Sequence, residues 1–263
     1  MKIALVSLNQ IWEDKKKNLL LCEGYIKSAF LQEVDLIIFP EMTLTGFSTN
    51  ISETAEDRKE SETIKKFIDL AKNNNIAILF GVVIKNRKKA FNNSVFINRD
   101  GTILGEYSKI HPFSFAGEDR YFRGGTKPVV VNFEDTTIGL TICYDLRFPE
   151  LYSAYAKESD IIVNIANWPS KRVDHWNTLL KARAIENQLF IIGVNRIGKD
   201  NNSLEYMQSS NIFNANGNVE KYEKFDDMQI YCISKNDTNI FKSNFNTVND
   251  RKIELYKEII DEF

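Results

Sequence analysis

Cysteine and histidine are scarce in this 263-residue sequence, and their scarcity removes several function classes at once. The three cysteines, Cys22, Cys143 and Cys232, are odd in number and form no C-x-x-C pair. Neither a disulfide framework nor a thiolate zinc site is expected from them. Two histidines, His111 and His175, are too few for an all-histidine metal centre. Charge of one sign is lacking as well: 34 Lys and Arg face 36 Asp and Glu, a formal net charge of −2. No basic excess marks a nucleic-acid partner, and no acidic block marks an interaction tail. Long apolar runs are also missing. The opening MKIALVSLNQIWEDKKK holds about six apolar-leaning residues, short of the roughly 7–15 of a signal-peptide core or the about 20 of a membrane span. A reducing cytosol without a membrane partner is the expected setting. No Gly/Ser linker or low-complexity stretch interrupts the chain, so one domain is expected over residues 1–263. Its tail from Lys235 is polar and is available for contacts between subunits.

What is present is an alternation of short apolar runs with amphipathic stretches. KIALVSL (2–8), DLIIFP (35–40), IAILFGVVI (76–84), SVFIN (94–98) and TILGEYSKI (102–110) read as strands. Helices are expected from Asp14 to Glu33 and over 60–73, and RDG (99–101) supplies a turn. The second half continues with strands at 138–143, 160–167, 190–198 and 228–234. Helices are expected from Pro149 to Lys157 and from about Arg172 to Gln188, with a hairpin around NANG (214–217). DLIIFPEMT (35–43) and DIIVNIANW (160–168) look like one unit used twice: an Asp, an apolar strand, then a polar residue at its C-terminal end. Strand–helix–strand units with short links favour parallel pairing with helices packed on sheets, an α/β fold.

Open α/β sheets place ligands outside the carboxyl ends of their strands. Three residues occupy such positions: Glu41 after the strand 35–40, Lys109 near the end of 102–110, and Cys143 at the end of 138–143. Taken singly, each has an ordinary explanation: a solvated loop acid, a surface lysine, a small core hydrophobe. Taken together, a carboxylate, an ammonium and a thiol suffice for acyl transfer without histidine. A free thiol of pKa about 8.5 is short of full ionisation at pH 7 by about 2 kcal/mol. An ammonium about 4 Å away at an effective dielectric near 20 supplies roughly 4 kcal/mol. Lysine is therefore expected to ionise the cysteine.

FPEMTLTGF, SKIHPF and ICYDLRFPELY closely resemble the three signature segments of the nitrilase superfamily of carbon–nitrogen hydrolases. The likeness continues through NWPSKRVDHWNTLLKARAIENQLFIIGVNRIGKD (167–200) and so spans nearly the whole chain. Within that superfamily the chain looks most like the omega-amidase branch, which hydrolyses the terminal amide of short dicarboxylic acid monoamides such as 2-oxoglutaramate. The resemblance implies a four-layer αββα sandwich with internal pseudo-two-fold symmetry, a homodimer or larger homo-oligomer, and no cofactor or metal. It implies Glu41 as acid/base, Lys109 as oxyanion stabiliser and Cys143 as nucleophile forming a thioester. Glu118, in FAGEDRYFRGG, matches a second active-site glutamate that orients the lysine and the hydrolytic water. The Tyr144 backbone N–H completes the oxyanion site, with its ring less expected to contribute. One departure stands out: Gln208 occupies a position two before Ser210 where the family commonly has Gly, which puts the local loop backbone in question.

The substrate side of the site rests on fewer signals. Arg147 lies four residues past Cys143, and a guanidinium fork suits a substrate carboxylate. Its alternative is an internal ion pair with Asp145, Glu150 or Glu186. His111 either lines the pocket or, more ordinarily, is satisfied by a backbone carbonyl. Asn167 and Trp168 end the repeat-related strand and either border the pocket opposite Glu41 or serve the fold. His175 and Trp176 are expected to pack in the long helix. Asp145 stands two residues after the cysteine where nitrile-cleaving members usually carry Glu, which argues against nitriles. Three alternatives remain: N-carbamoyl amino acid hydrolysis, a papain-like cysteine–histidine design using His111 or His175, and a non-catalytic binding protein on the same fold.

Overall fold

The computed structural model describes residues 1–262, so the expected tail ends at Phe263, outside the described residues. The first half runs through β1 (Lys2–Val6), α1 (Lys15–Leu31), β2 (Leu36–Ile38), α2 (Ile51–Thr54) and α3 (Glu62–Asn74). It continues with β3 (Ala77–Asn86), β4 (Lys89–Ile97), β5 (Ile103–Ser108) and α4 (Glu118–Tyr121). The second half has β6 (Val130–Phe133), β7 (Thr136–Ile142), α5 (Pro149–Tyr155), β8 (Ile161–Ala166), α6 (Val173–Asn187) and β9 (Phe190–Asn195). Short strands β10 (Gly198–Lys199), β11 (Glu205–Tyr206) and β12 (Asn211–Phe213) precede β13 (Tyr222–Phe225) and β14 (Met228–Cys232). The tail from Lys235 forms α7 (Lys235–Asn244) and α8 (Ile253–Glu262). No helix among the described residues is long and apolar enough to cross a membrane.

Local chemistry sets the helix ends. Asp14 accepts the Lys17 N–H ahead of α1, and Ser61 accepts the Ile64 N–H ahead of α3, each supplying a partner that the first helical turn lacks. Asn75 closes α3 in the left-handed conformation, and Pro149 opens α5, where a missing N–H costs nothing.

Seven strands pair in the order β13-β14-β1-β2-β3-β4-β5 and five in the order β12-β9-β8-β7-β6. Period-two alternation makes these two sheets the middle of a four-layer sandwich. On β1, Ile3 and Leu5 point into a core shared with the second sheet, while Ala4 and Val6 meet Ile26 of α1 and Phe67 of α3. On β8, Ile161, Val163 and Ile165 enter the shared core, while Ile162 and Ala166 meet Tyr152 of α5 and Leu180 of α6. Both faces of each central strand are apolar, as expected for parallel strands covered on both sides.

The faint repeat is real at the level of hydrogen bonds. Asp35 takes the Lys2 N–H on its carboxylate and donates its own N–H to the Lys2 carbonyl. Asp160 does the same with Thr137. Each aspartate thus starts a strand that runs parallel between two neighbours, β1-β2-β3 and β7-β8-β9. The C-terminal ends of these two triplets converge, and Glu41 and Asn167 meet there.

Candidate active site

Glu41 lies three residues past β2 in a turn drawn tight against β3. The Thr43 N–H donates to the Gly81 carbonyl at 3.0 Å, and the Gly81 N–H donates to the Thr43 hydroxyl at 2.9 Å. The Gln10 amide donates to the carbonyls of Glu41, Met42 and Thr43 in succession. A Cβ on Gly81 would stand 2.3 Å from the Met42 nitrogen, so only glycine lets the two backbones approach this closely. Gly81→Ala is expected to cost about 1–3 kcal/mol of stability by overpacking and to lower turnover by displacing Glu41. A thermal melt alongside a rate measurement checks it; an unchanged melt and rate would show that the turn is slack.

Glu41 is wholly buried and every contact to its carboxylate comes from a donor, the pattern of an ionised acid. Oε1 accepts from Asn92 Nδ2 at 2.7 Å and from Lys109 Nζ at 3.1 Å; Oε2 accepts the Asn167 N–H at 2.8 Å. Lys109 also donates to Glu118 Oε2 at 2.8 Å, and Glu118 accepts the Phe113 N–H and Asn92 Nδ2. Burial alone would lower the Lys109 pKa. Glu118 and Glu41 together outweigh it, so the ammonium is held above the ordinary lysine range and stays charged.

Cys143 follows β7 at a sharp turn, with φ +46°, a conformation that side-chain-bearing residues seldom adopt. Strain of this kind costs on the order of 1–3 kcal/mol and persists only where surrounding contacts hold it. Asp145 supplies those contacts. Its carboxylate takes the Ile142 N–H at 3.0 Å, the Tyr107 hydroxyl at 2.7 Å and the His111 N–H at 3.0 Å. It thereby ties the Cys143 turn to the segment that carries Lys109.

The expectation that Lys109 ionises the cysteine is overturned. Burial pushes the Cys143 thiol well up, the Glu41 carboxylate adds to this, and the Lys109 ammonium opposes both without prevailing. The first physical reason is burial, which disfavours the thiolate; the Glu41 carboxylate comes next, and Glu118 adds a smaller push in the same direction. The resting group is a neutral thiol beside a carboxylate, an arrangement that needs a base rather than a preformed thiolate.

Cys143 and Lys109 line a pocket walled by Phe47, Phe113, Trp168 and Tyr206, with Tyr144, Arg147, Asn167 and Arg172 also on its surface. No acidic residue is among its lining. The Tyr144 ring, expected to contribute less than its backbone, is part of this wall and packs on Phe113 at 4.8 Å. Asn167 does two things: it borders the pocket and its side chain donates to the Glu41 carbonyl at 2.7 Å. Trp168 lines the pocket as well, with its own N–H held by Asn195.

His111 is not on the pocket surface. Its Nδ1 lies 2.8 Å from Asp145 Oδ1 and its ring stacks on Phe148 at 3.7 Å, because the buried carboxylate is a stronger partner than a backbone carbonyl. His175 is exposed rather than packed, and lies 3.3 Å from an Arg147 nitrogen, while Trp176 is buried and donates to the Ser209 carbonyl. Both candidates for a cysteine–histidine pair are thus committed elsewhere. The internal ion pair considered for Arg147 is absent among the described residues: Asp145 is taken by His111 and the backbone, and Glu186 by Arg183. Gln208 sits at an ordinary backbone conformation and donates to Gln229 at 2.6 Å, so the loop accepts a side chain there without strain.

Sequence reasoning passed over Asn92, which joins Glu41 to Glu118. A signal was available: Asn92, Asn93 and Ser94 interrupt an otherwise apolar strand whose faces are both buried. Phe47 comes from a loop, Arg172 from the short 3-10 turn ahead of α6 and Tyr206 from a two-residue strand, where no periodicity points to a pocket.

The carbon–nitrogen hydrolase family model matches residues 2–222. The chain is 36% identical over 220 residues to the omega-amidase YafV of Yersinia enterocolitica, covering 84% of each. It is 32% identical to the 2-oxoglutaramate amidase of Paenarthrobacter nicotinovorans, over 85% of this chain and 80% of that one. Among solved structures, a carbon–nitrogen hydrolase superfamily protein of Xanthomonas campestris superposes with a TM-score of 0.89 at 29% identity, covering 96% of this chain and 97% of that one.

Proposed function

Because the chain belongs to the carbon–nitrogen hydrolase family and is an amide hydrolase of that family, we propose that it cleaves the terminal amide of a small carboxylate-bearing substrate, of the omega-amidase type, through a Cys143 thioester. The observation that carries this reading is the shared environment of Glu41, Lys109 and Cys143, with Arg147 on the same pocket surface.

In this scheme Glu41 takes the Cys143 proton as sulfur attacks the amide carbon. The tetrahedral oxyanion lies between the Lys109 ammonium and the Tyr144 N–H. Its collapse breaks the carbon–nitrogen bond, and Glu41 returns the proton to the leaving ammonia. Glu41 then takes a proton from water, whose oxygen attacks the thioester and frees the acid and the thiol. Glu118 and Asn92 hold Lys109 and Glu41 in register throughout, positioning work supported by their direct contacts. The neutral resting thiol fits this order, since the base acts during attack rather than before it.

Arg147 is the group best placed for the substrate carboxylate, being a pocket cation without an acid of its own. The purified protein is expected to release ammonia from 2-oxoglutaramate faster than from a neutral amide of equal length. Equal rates on both, or release only from N-carbamoyl amino acids, would contradict the substrate assignment.

A further inference from the structure

The scheme leaves a second pocket cation without a role. Arg172 lines the same cavity as Arg147, and neither forms an ion pair among the described residues. Each guanidinium rests on an aromatic face instead: Arg147 lies 4.9 Å from the centre of the Trp168 ring, Arg172 5.6 Å from that of Phe113. Trp168 joins the two. Its ring carries Arg147, and its indole N–H donates to the Arg172 carbonyl at 2.7 Å.

We propose that Arg172 is a specificity-determining residue, the second arm of a two-arginine clamp that holds the substrate's carboxylate against Arg147; this rests on the reading of the pocket as that of an acid-bearing amide hydrolase. A carboxylate offers about four lone-pair sites, and one guanidinium fork engages two of them. A second guanidinium takes the pair that the first leaves open. Lys109 is paired with Glu41 and Glu118 and serves the oxyanion, so the two arginines are the pocket cations left for the substrate's carboxylate. Arg172 also occupies the N-cap position of the 15-residue helix α6, whose N-terminal end adds positive potential on the same side. Stacking on rings holds both planar groups in place before the substrate arrives, which reduces the ordering cost of binding.

Two measurements test the clamp. In the first, KM and kcat are compared for 2-oxoglutaramate and for the neutral butyramide. Arg172→Gln is expected to raise KM for the anionic amide by about 10- to 100-fold, with kcat little changed and the neutral amide unaffected. Trp168→Phe, which removes the indole N–H, is expected to move KM the same way by a smaller factor. An equal rise for both amides would mean a merely structural role and overturn the proposal. In the second, glutarate is titrated calorimetrically into Cys143→Ala protein, with and without Arg172→Gln. A dissociation constant at least about tenfold weaker in the double variant supports the clamp. Unchanged affinity, or no glutarate binding to the Cys143→Ala protein, overturns it. Since this titration needs no turnover, failure to release ammonia from any amide would count against the proposed activity while the titration still decides the clamp.

Discussion

Cys143→Ala is expected to lower ammonia release by about a million-fold, the scale seen when a nucleophile is removed from an otherwise intact site. The reason is that no other group in the pocket can take its place. Lys109 is held protonated by two carboxylates and has no lone pair to offer. Tyr206 has its hydroxyl committed to Asp200, which together with burial holds its proton on. Cys22 is buried on the inner face of α1 and Cys232 lies on β14, outside the pocket lining. The fold is expected to survive, since the turn is held by Asp145 and alanine meets the same φ as cysteine. An unchanged melting temperature with lost turnover is the predicted combination. Near-normal release by this variant would mean that the amide is attacked by something other than sulfur.

Glu41→Gln carries the second-largest effect, and it acts in two directions. Turnover is expected to fall by about 100- to 10,000-fold, the range for loss of a positioned acid/base group. The thiol, meanwhile, should become more acidic. The sign follows from its surroundings: a carboxylate beside Cys143 disfavours the thiolate and raises the pKa, so deleting that charge lowers it. Iodoacetamide should therefore alkylate Cys143 faster in the variant than in the wild type at pH 8. In the wild type the alkylation rate should still be climbing at pH 9.0, because burial and Glu41 place the thiol above that value. The glutamine oxygen keeps the Asn92 and Lys109 contacts but its amide cannot accept the Asn167 N–H, so a modest loss of stability accompanies the change. Slower alkylation in the variant, with turnover reduced, would point to a disordered turn rather than a missing base.

The layered fold was legible because its central strands are apolar on both faces and its helices carry ordinary caps. The segments β1, β2, β3, β8 and β9 are dominated by Ile, Val, Leu, Ala and Phe and are buried over most of their length, a pattern that reads as covered strand. Edge elements were harder. All four residues of β13 are exposed, so YEKF carries no burial signal, and the polar α7 has only Thr238 buried. In the site, Glu41, Lys109 and Cys143 were readable as polar residues at strand ends. What they do to one another was not. The thiol's raised pKa comes first from its burial and then from the Glu41 carboxylate beside it, and Glu118 approaches Lys109 through a loop whose path no local rule gives. The fates of His111 and Arg147 were likewise decided by Asp145 and Trp168, partners that are close in space through turns rather than through periodicity. Asn92 was recoverable, since three polar residues inside a doubly covered strand call for buried partners.

Partitioning of the acyl group tests the central claim most directly. Wild-type protein would turn over succinamate, a dicarboxylic acid monoamide without a keto group that hydroxylamine could trap, in rising concentrations of hydroxylamine, with ammonia, free acid and hydroxamate measured together. A Cys143 thioester predicts that hydroxamate grows at the expense of free acid while ammonia release stays level or increases, since ammonia departs before the acyl group is partitioned. Ammonia matched by free acid alone, at every hydroxylamine concentration, would mean that water attacks the amide directly and that Cys143 forms no acyl intermediate.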